Sequence, residues 1–207
     1  MRNHRISTQE QLRALYRQPS KRAAGKVTNA ITPEVARFIN FCPFAILCTA
    51  GADGGVDASP RGGPPGFIHV VDEAHLAIPD LGGNNRLDSF QNILENPYAG
   101  LLMMIPGKEE TVRINGAAHL STDPELLGSF TTELRTPKLA LVIRADEVFG
   151  HCAKALRRAG LWAPESWEAL AEAPDLADIY ACQFKNVDAS EMRNQLKQTY
   201  TDDLAQD

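Results

Sequence analysis

Between Phe44 and Val148 the chain is a succession of short apolar runs separated by turn residues. Phe44-Ala45-Ile46-Leu47-Cys48-Thr49-Ala50 reads as a strand, and Gly51-Ala52-Asp53-Gly54-Gly55 turns it back into Val56-Asp57-Ala58-Ser59-Pro60-Arg61 as a hairpin partner. Pro60 cannot donate to a ladder, so it suits an edge, a bulge or a rim that faces a ligand. Phe67 to Val71 and His75 to Pro79 form the next strand pair around Asp72-Glu73. The nearly continuous apolar run from Tyr98 to Ile105 predicts a strand covered on both sides. Thr111 to Leu120 alternates with period two until Gly116, where a bulge or bend is expected, and Leu139 to Val148 supplies the last long strand.

Helical spacing brackets these strands. Ser7 and Glu10 make a capping box before Leu12, Leu15 and Tyr16, and Thr32-Pro33 opens a helix with Val35, Phe38, Ile39 and Cys42 on one stripe. A further helix places Leu87, Phe90 and Leu94 on a buried stripe, puts Arg86 and Ser89 on another face, and stops at Asn96-Pro97. Asp123-Pro124 caps a short helix, and Cys152 to Arg158 is helical up to a Gly160 stop. Two more helices start at Asp175 and Asp188, the latter with Glu191 as its box partner. Strands joined mostly by turns, without regular strand–helix alternation, predict a mainly β protein with flanking helices (α+β), an antiparallel barrel rather than a doubly wound sheet. The expected organisation is a single domain, with amino-terminal helices over 1–43, a barrel core over 44–151 and a helical segment over 152–207.

Composition narrows the functional classes. At 207 residues the chain can bury a full core, and no apolar run approaches the roughly 20 residues of a membrane span. The absence of an apolar segment behind Met1-Arg2-Asn3-His4-Arg5 makes a cytoplasmic location the default expectation. A net charge of −5 argues against broad nucleic-acid binding and favours a small ligand. Cys42, Cys48, Cys152 and Cys182 lack paired spacing, which predicts buried, reduced thiols rather than zinc or a disulfide framework. His69, His75 and His119 are scattered along strands and read as satisfied polar positions, so no metal is assigned.

The chemistry concentrates at Ile78-Pro79-Asp80-Leu81-Gly82-Gly83-Asn84-Asn85-Arg86-Leu87-Asp88-Ser89. A strand ends in glycines and a helix then opens with amides and an arginine, the ingredients of a phosphate seat. Gly-Gly-Asn is also ordinary turn chemistry, and the same residues suit an N-capped surface helix.

Taken together, Asp57-Ala58-Ser59-Pro60-Arg61-Gly62, the Pro79 to Ser89 seat, Asn96-Pro97, Val112-Arg113-Ile114-Asn115-Gly116 and Phe149 to Ala155 resemble the pyridoxamine 5′-phosphate oxidase-like flavoproteins, which are FMN-binding split barrels. They look most like a subgroup of FMN-dependent enzymes without an assigned substrate, and the resemblance spans about Phe41 to Trp162. It implies that Ser59 and Arg61 line the flavin ring and ribityl chain and that Pro79 and Asp80 meet the isoalloxazine edge. The FMN phosphate falls to Asn85 and Arg86, with Asn84 beside them and Ser89 one turn on. Asn85 stands where the authentic oxidases have a basic residue, and Thr111 where they usually have an amide. Sites of this family form between two subunits, which implies a homodimer whose His151 and Lys154 reach the neighbouring flavin. His151 also suits a hydrogen-bonded structural histidine, and Lys154, with Arg157 and Arg158, a solvated helix face.

The flavin carries its own redox chemistry, so no catalytic acid or base is required and none is assigned. The resemblance implies an FMN-dependent oxidoreductase acting on a small molecule, with NADH or NADPH as a candidate donor. The acidic, helical Asn186 to Asp207 replaces the Trp- and Arg-bearing end of true pyridoxamine phosphate oxidases. A flavin-binding protein without turnover, or a split barrel holding heme or a deazaflavin, remains the alternative.

Overall fold

The computed structural model describes residues 4–130, 133–167 and 172–204. The amino-terminal arm carries α1 (Gln9–Ala14), α2 (Lys21–Ala24) and α3 (Pro33–Asn40). The first capping box lies one residue later than the Ser7 pattern suggested. Thr8 accepts from Gln11 N, and the Gln11 side chain returns the bond. Leu12, Leu15 and Tyr16 are exposed, so this helix buries no residue. Thr32 caps α3 with Pro33 in its first turn, as the sequence predicts, and Ile39 enters the core. The short α2, capped by Ser20, has no apolar period that would reveal it.

Strands β1 (Phe44–Ala50), β2 (Val56–Gly62), β3 (His69–Val70) and β4 (His75–Pro79) precede α4 (Asp88–Glu95). Strand β3 is shorter than the Phe67 to Val71 run, because Phe67 and Ile68 are buried in the core without joining the ladder. Strands β5 (Tyr98–Met104) and β6 (Thr111–Ser121), helix α5 (Pro124–Gly128), and strands β7 (Ala140–Arg144) and β8 (Glu147–His151) complete the sheet. Helices α6 (Lys154–Ala159), α7 (Leu176–Gln183) and α8 (Ala189–Leu204) follow, with a 3-10 turn at Pro164–Ser166 between the first two.

All pairings are antiparallel, in the order β2-β1-β5-β6-β7-β4-β3, and β8 also pairs with β6. Strand β6 belongs to both halves of this split barrel. Its first residues pair with β5 and β8, and Ala118 to Ser121 pair with β7. Where β7 passes into β8, Arg144, Ala145 and Asp146 oppose only Gly116 and Ala117, an extra residue that constitutes a bulge. A Cβ at Gly116 would lie 1.8 Å from the Arg144 carbonyl oxygen, so glycine is required for this bend. The Asp146 carboxylate accepts from the Ala117 N–H that the bulge displaces.

One apolar core fills the interior, with Ile39, Leu47, Phe67, Leu101, Ile114 and Ile143 among its fully buried members. A second cluster packs Phe130, Leu126 and Leu127 against Ala77, Ala140 and Val142. Strands β4 and β7 are therefore the ones covered on both faces. In β5, Ala99, Leu101 and Met103 are buried, whereas Gly100, Leu102 and Met104 are only half-buried. This corrects the expectation of double coverage for Tyr98 to Ile105, because the described residues cover that outward face only in part. None of the four cysteines is bridged to another, and of the four expected to be buried only Cys42 is, whereas Cys48, Cys152 and Cys182 are exposed.

Candidate functional site

The period-two alternation of β2 sets Asp57, Ser59 and Arg61 on one face, the half-buried one. That face meets the start of α4, where Ser89 is buried. Arg61 Nη2 donates to Ser59 Oγ at 3.2 Å and to Ser89 Oγ at 3.0 Å, and the two hydroxyl oxygens are 3.0 Å apart. Ser89 Oγ donates in turn to Asp57 Oδ2 at 2.5 Å. The guanidinium lies 5.6 Å from the Phe90 ring centroid. Burial lowers the Arg61 pKa, and the charges of Asp80 and Asp57 oppose that shift. Arg61 Nε is buried with no hydrogen-bond partner, a state shared among the described residues only with Arg113 Nε. An unpaired buried donor is costly, and a ligand that satisfied it would recover that cost.

These groups border a cavity of about 410 Å³ whose other walls come from Asp80 to Asn85, Leu87, Asp88, Arg135 and Lys138. A smaller recess of about 90 Å³ shares Pro60, Arg61, Leu81 and Gly82 with it and adds Pro79 and Phe67. The connecting backbone is unusual. Asn85 has φ 57° and Leu87 φ 61°, and the left-handed region costs an ordinary side chain such as leucine about 1 kcal/mol. Leu87 occupies the N-cap of α4, and no side chain caps that helix. Its first-turn N–H groups therefore lack the usual partner, which is the donor arrangement that accepts an anion.

The structure brings Ser59, Arg61 and Ser89 into one network and sets Asp80, Asn84 and Asn85 on the cavity wall, with Pro79 at the recess. It places Arg86 differently from the spacing argument. Arg86 precedes the helix, is largely exposed, and its Nε lies 2.8 Å from Asp88 Oδ2. Arg86 and Ser89 share no helical face, because the left-handed Leu87 intervenes. The buried stripe of α4 is Ser89, Phe90 and Ile93, whereas Leu87 and Leu94 are exposed. Asp57, Phe90, Arg135 and Lys138 are the wall residues that sequence reasoning did not assign. Strand alternation carries Asp57 along with Ser59 and Arg61. Arg135 and Lys138 lie in an irregular segment without periodicity, which Asp80 N ties to the seat through Leu139 O at 2.8 Å.

Thr111, His151 and Lys154 line neither cavity. They gather where β6, β8 and α6 meet, with buried Thr111 opposite His151 in the ladder. Beside them the Phe149 ring has Arg113 at 4.4 Å and Lys26 at 4.7 Å from its centroid, and Lys26 Nζ donates to Gly150 O at 2.8 Å. Burial, then the charges of Arg113 and Lys26, lowers the His151 pKa. The Lys154 N–H is the leading cause that holds the Cys152 thiol below its ordinary value. Arg157 pairs with Glu109, and Trp162 Nε1 donates to Lys108 O, fixing the segment around α6 against the β5–β6 turn.

Residues 31–152 match the family model described as pyridoxamine 5′-phosphate oxidase. The chain belongs to this family. The match contains all eight strands, with Ser59, Arg61, Ser89, Thr111 and His151, while Lys154 and the helices α6 to α8 lie beyond it. No curated protein matches the chain significantly. Among solved structures, HupZ of Group A Streptococcus is 18% identical over 58% of this chain and 93% of its own, with a TM-score of 0.48. HutZ, the heme storage protein of Vibrio cholerae, is 15% identical over 58% and 93%, with a TM-score of 0.39. A pyridoxamine 5′-phosphate oxidase-related, FMN-binding protein of Nostoc punctiforme is 13% identical over 54% and 74%, with a TM-score of 0.37. Membership rests on the match along the sequence. Among the described residues of this family member, no helix is long and apolar enough to cross a membrane, and no group of three or more His, Cys, Asp or Glu could hold a metal ion.

Proposed function

We propose that this family member binds FMN in the cavity between β2 and the β4–α4 loop and acts as an FMN-dependent oxidoreductase on a small molecule. The observation that carries the reading is the buried, incompletely paired Arg61 beside two hydroxyls and a helix start that no side chain caps. That donor set fits a phosphate monoester, and a cavity of about 410 Å³ falls within the range of about 300–1,000 Å³ usual for small-ligand sites. Ser59, Arg61, Ser89 and the first amides of α4 would hold the phosphate. Arg86 would add its guanidinium by exchanging Asp88 for the ligand, while Asn84 and Asn85 fix the turn and Arg135 and Lys138 supply positive charge at the rim. Pro79 and Asp80, at and beside the recess, would meet the ring edge.

When bound, the flavin supplies hydride transfer, and the protein's part is to orient the ring and govern what approaches it. Thr111, His151 and Lys154 belong to this site only if a second copy of the chain brings its own cluster to it. The outward face of β1 and β5 supports such a homodimer, because the cross-strand pairs Phe44–Met104 and Ile46–Leu102 leave apolar side chains half-buried or exposed there.

The absorbance spectrum of the purified protein, before and after incubation with FMN, tests the reading. A flavin spectrum that bleaches with NADH or NADPH supports the oxidoreductase, and one that no nicotinamide donor bleaches supports a flavin-binding protein without turnover. A heme or deazaflavin spectrum, or no uptake of FMN, removes the reading.

A further inference from the structure

The phosphate seat contains an acid of its own. Asp57 Oδ2 takes the hydrogen of Ser89 Oγ at 2.5 Å, and the same hydroxyl oxygen accepts from Arg61 Nη2 at 3.0 Å. A serine hydroxyl has one proton, so while Asp57 holds it Ser89 cannot donate to an incoming anion. Ser59, 3.0 Å from Ser89 and 3.2 Å from Arg61, belongs to the same closed circuit. The wall thus sets the carboxylates of Asp57, Asp80 and Asp88 against the cations Arg61, Arg135 and Lys138. Asp57 is bonded to the Ser89 hydroxyl that Arg61 also holds.

We propose that Asp57 is an internal anion that competes with the ligand phosphate for Ser89 and Arg61, and so sets how tightly the seat retains a phosphate monoester. The proposal deepens the FMN reading and rests on it for the identity of the ligand. A doubly charged phosphate entering this seat must displace the carboxylate from Ser89 and remain close to it, at a cost in a partly desolvated site. Asparagine at the same position keeps a side-chain oxygen to accept from Ser89 and removes the charge. Strand β2 is an edge strand and Asp57 only half-buried, so the substitution leaves the core intact.

The test compares the wild-type protein with Asp57→Asn and Asp57→Ser. FMN and riboflavin affinities come from quenching of flavin fluorescence, and inorganic phosphate affinity from titration calorimetry. Removal of the charge is expected to tighten FMN and inorganic phosphate binding on the order of tenfold in both variants and to leave riboflavin, which lacks the phosphate, unchanged. Unchanged or weaker phosphate binding in both variants overturns the proposal, and so does an equal gain for riboflavin. If FMN binds to none of the three proteins while the variants still gain affinity for inorganic phosphate, the FMN reading fails and the competing role of Asp57 stands.

Discussion

Arg61 and Arg86 sit close in the fold and in different physical states. Arg61 is half-buried, stacked near Phe90 and short of one hydrogen-bond partner, whereas Arg86 is largely exposed on Asp88. Ligand bonds made by a desolvated guanidinium are worth more than those of one that must leave an existing partner in water. Arg61→Met is therefore expected to weaken FMN binding on the order of a hundredfold, and Arg86→Ala on the order of tenfold, with fluorescence quenching as the readout. The reverse order would move the phosphate out towards Arg86. The family motif grouped Ser59, Arg61 and Ser89, which the structure brings into one network, and hid the difference between the two arginines. Spacing alone treats Arg86 as helical, and only the left-handed backbone at Leu87, which is no glycine and so gives no warning, takes it off the helix.

Element boundaries were legible wherever local chemistry decides them. Thr32-Pro33, the Gly51 to Gly55 turn and the Gly160 stop all stand where they were predicted, because caps, turns and left-handed glycines act within a few residues. The bend at Gly116 was legible too, although its extra residue lies on the partner strand. Gly116→Ala would drive a methyl group into the Arg144 carbonyl and is expected to destabilise the protein by about 3 kcal/mol or more, measured by denaturant unfolding. Helices α7 and α8 are joined by Arg193, which pairs with Asp175 and Asp178. With Arg193 as the leading cause, the Asp175 carboxyl is lowered from 3.8 to about 2. A carboxylate depressed on folding stabilises above its unfolded pKa, and that contribution fades as pH falls through the folded value. Acid titration followed by circular dichroism should show a small decrease in helix signal between about pH 4 and pH 2, and Arg193→Ala should reduce that decrease.

At the scale of the molecule, the sequence announced the antiparallel barrel because short strands with turns between them admit few other solutions. What it could not announce was which strand faces are left uncovered. An apolar run such as Tyr98 to Ile105 looks the same whether its second face meets a helix of its own chain or another molecule. The expectation for a homodimer is that Leu102→Glu yields a monomer by sedimentation, with its strand content retained and its FMN affinity reduced; a variant that stays dimeric would assign the interface elsewhere. Strand β6 bears on the same question. It is a common rib for both half-sheets, carrying Thr111 at one end and, past the Gly116 bend, the ladder to β7 that in turn holds β4 and the seat. The two clusters of one chain are thus anchored to a single strand, which fixes the spacing between them.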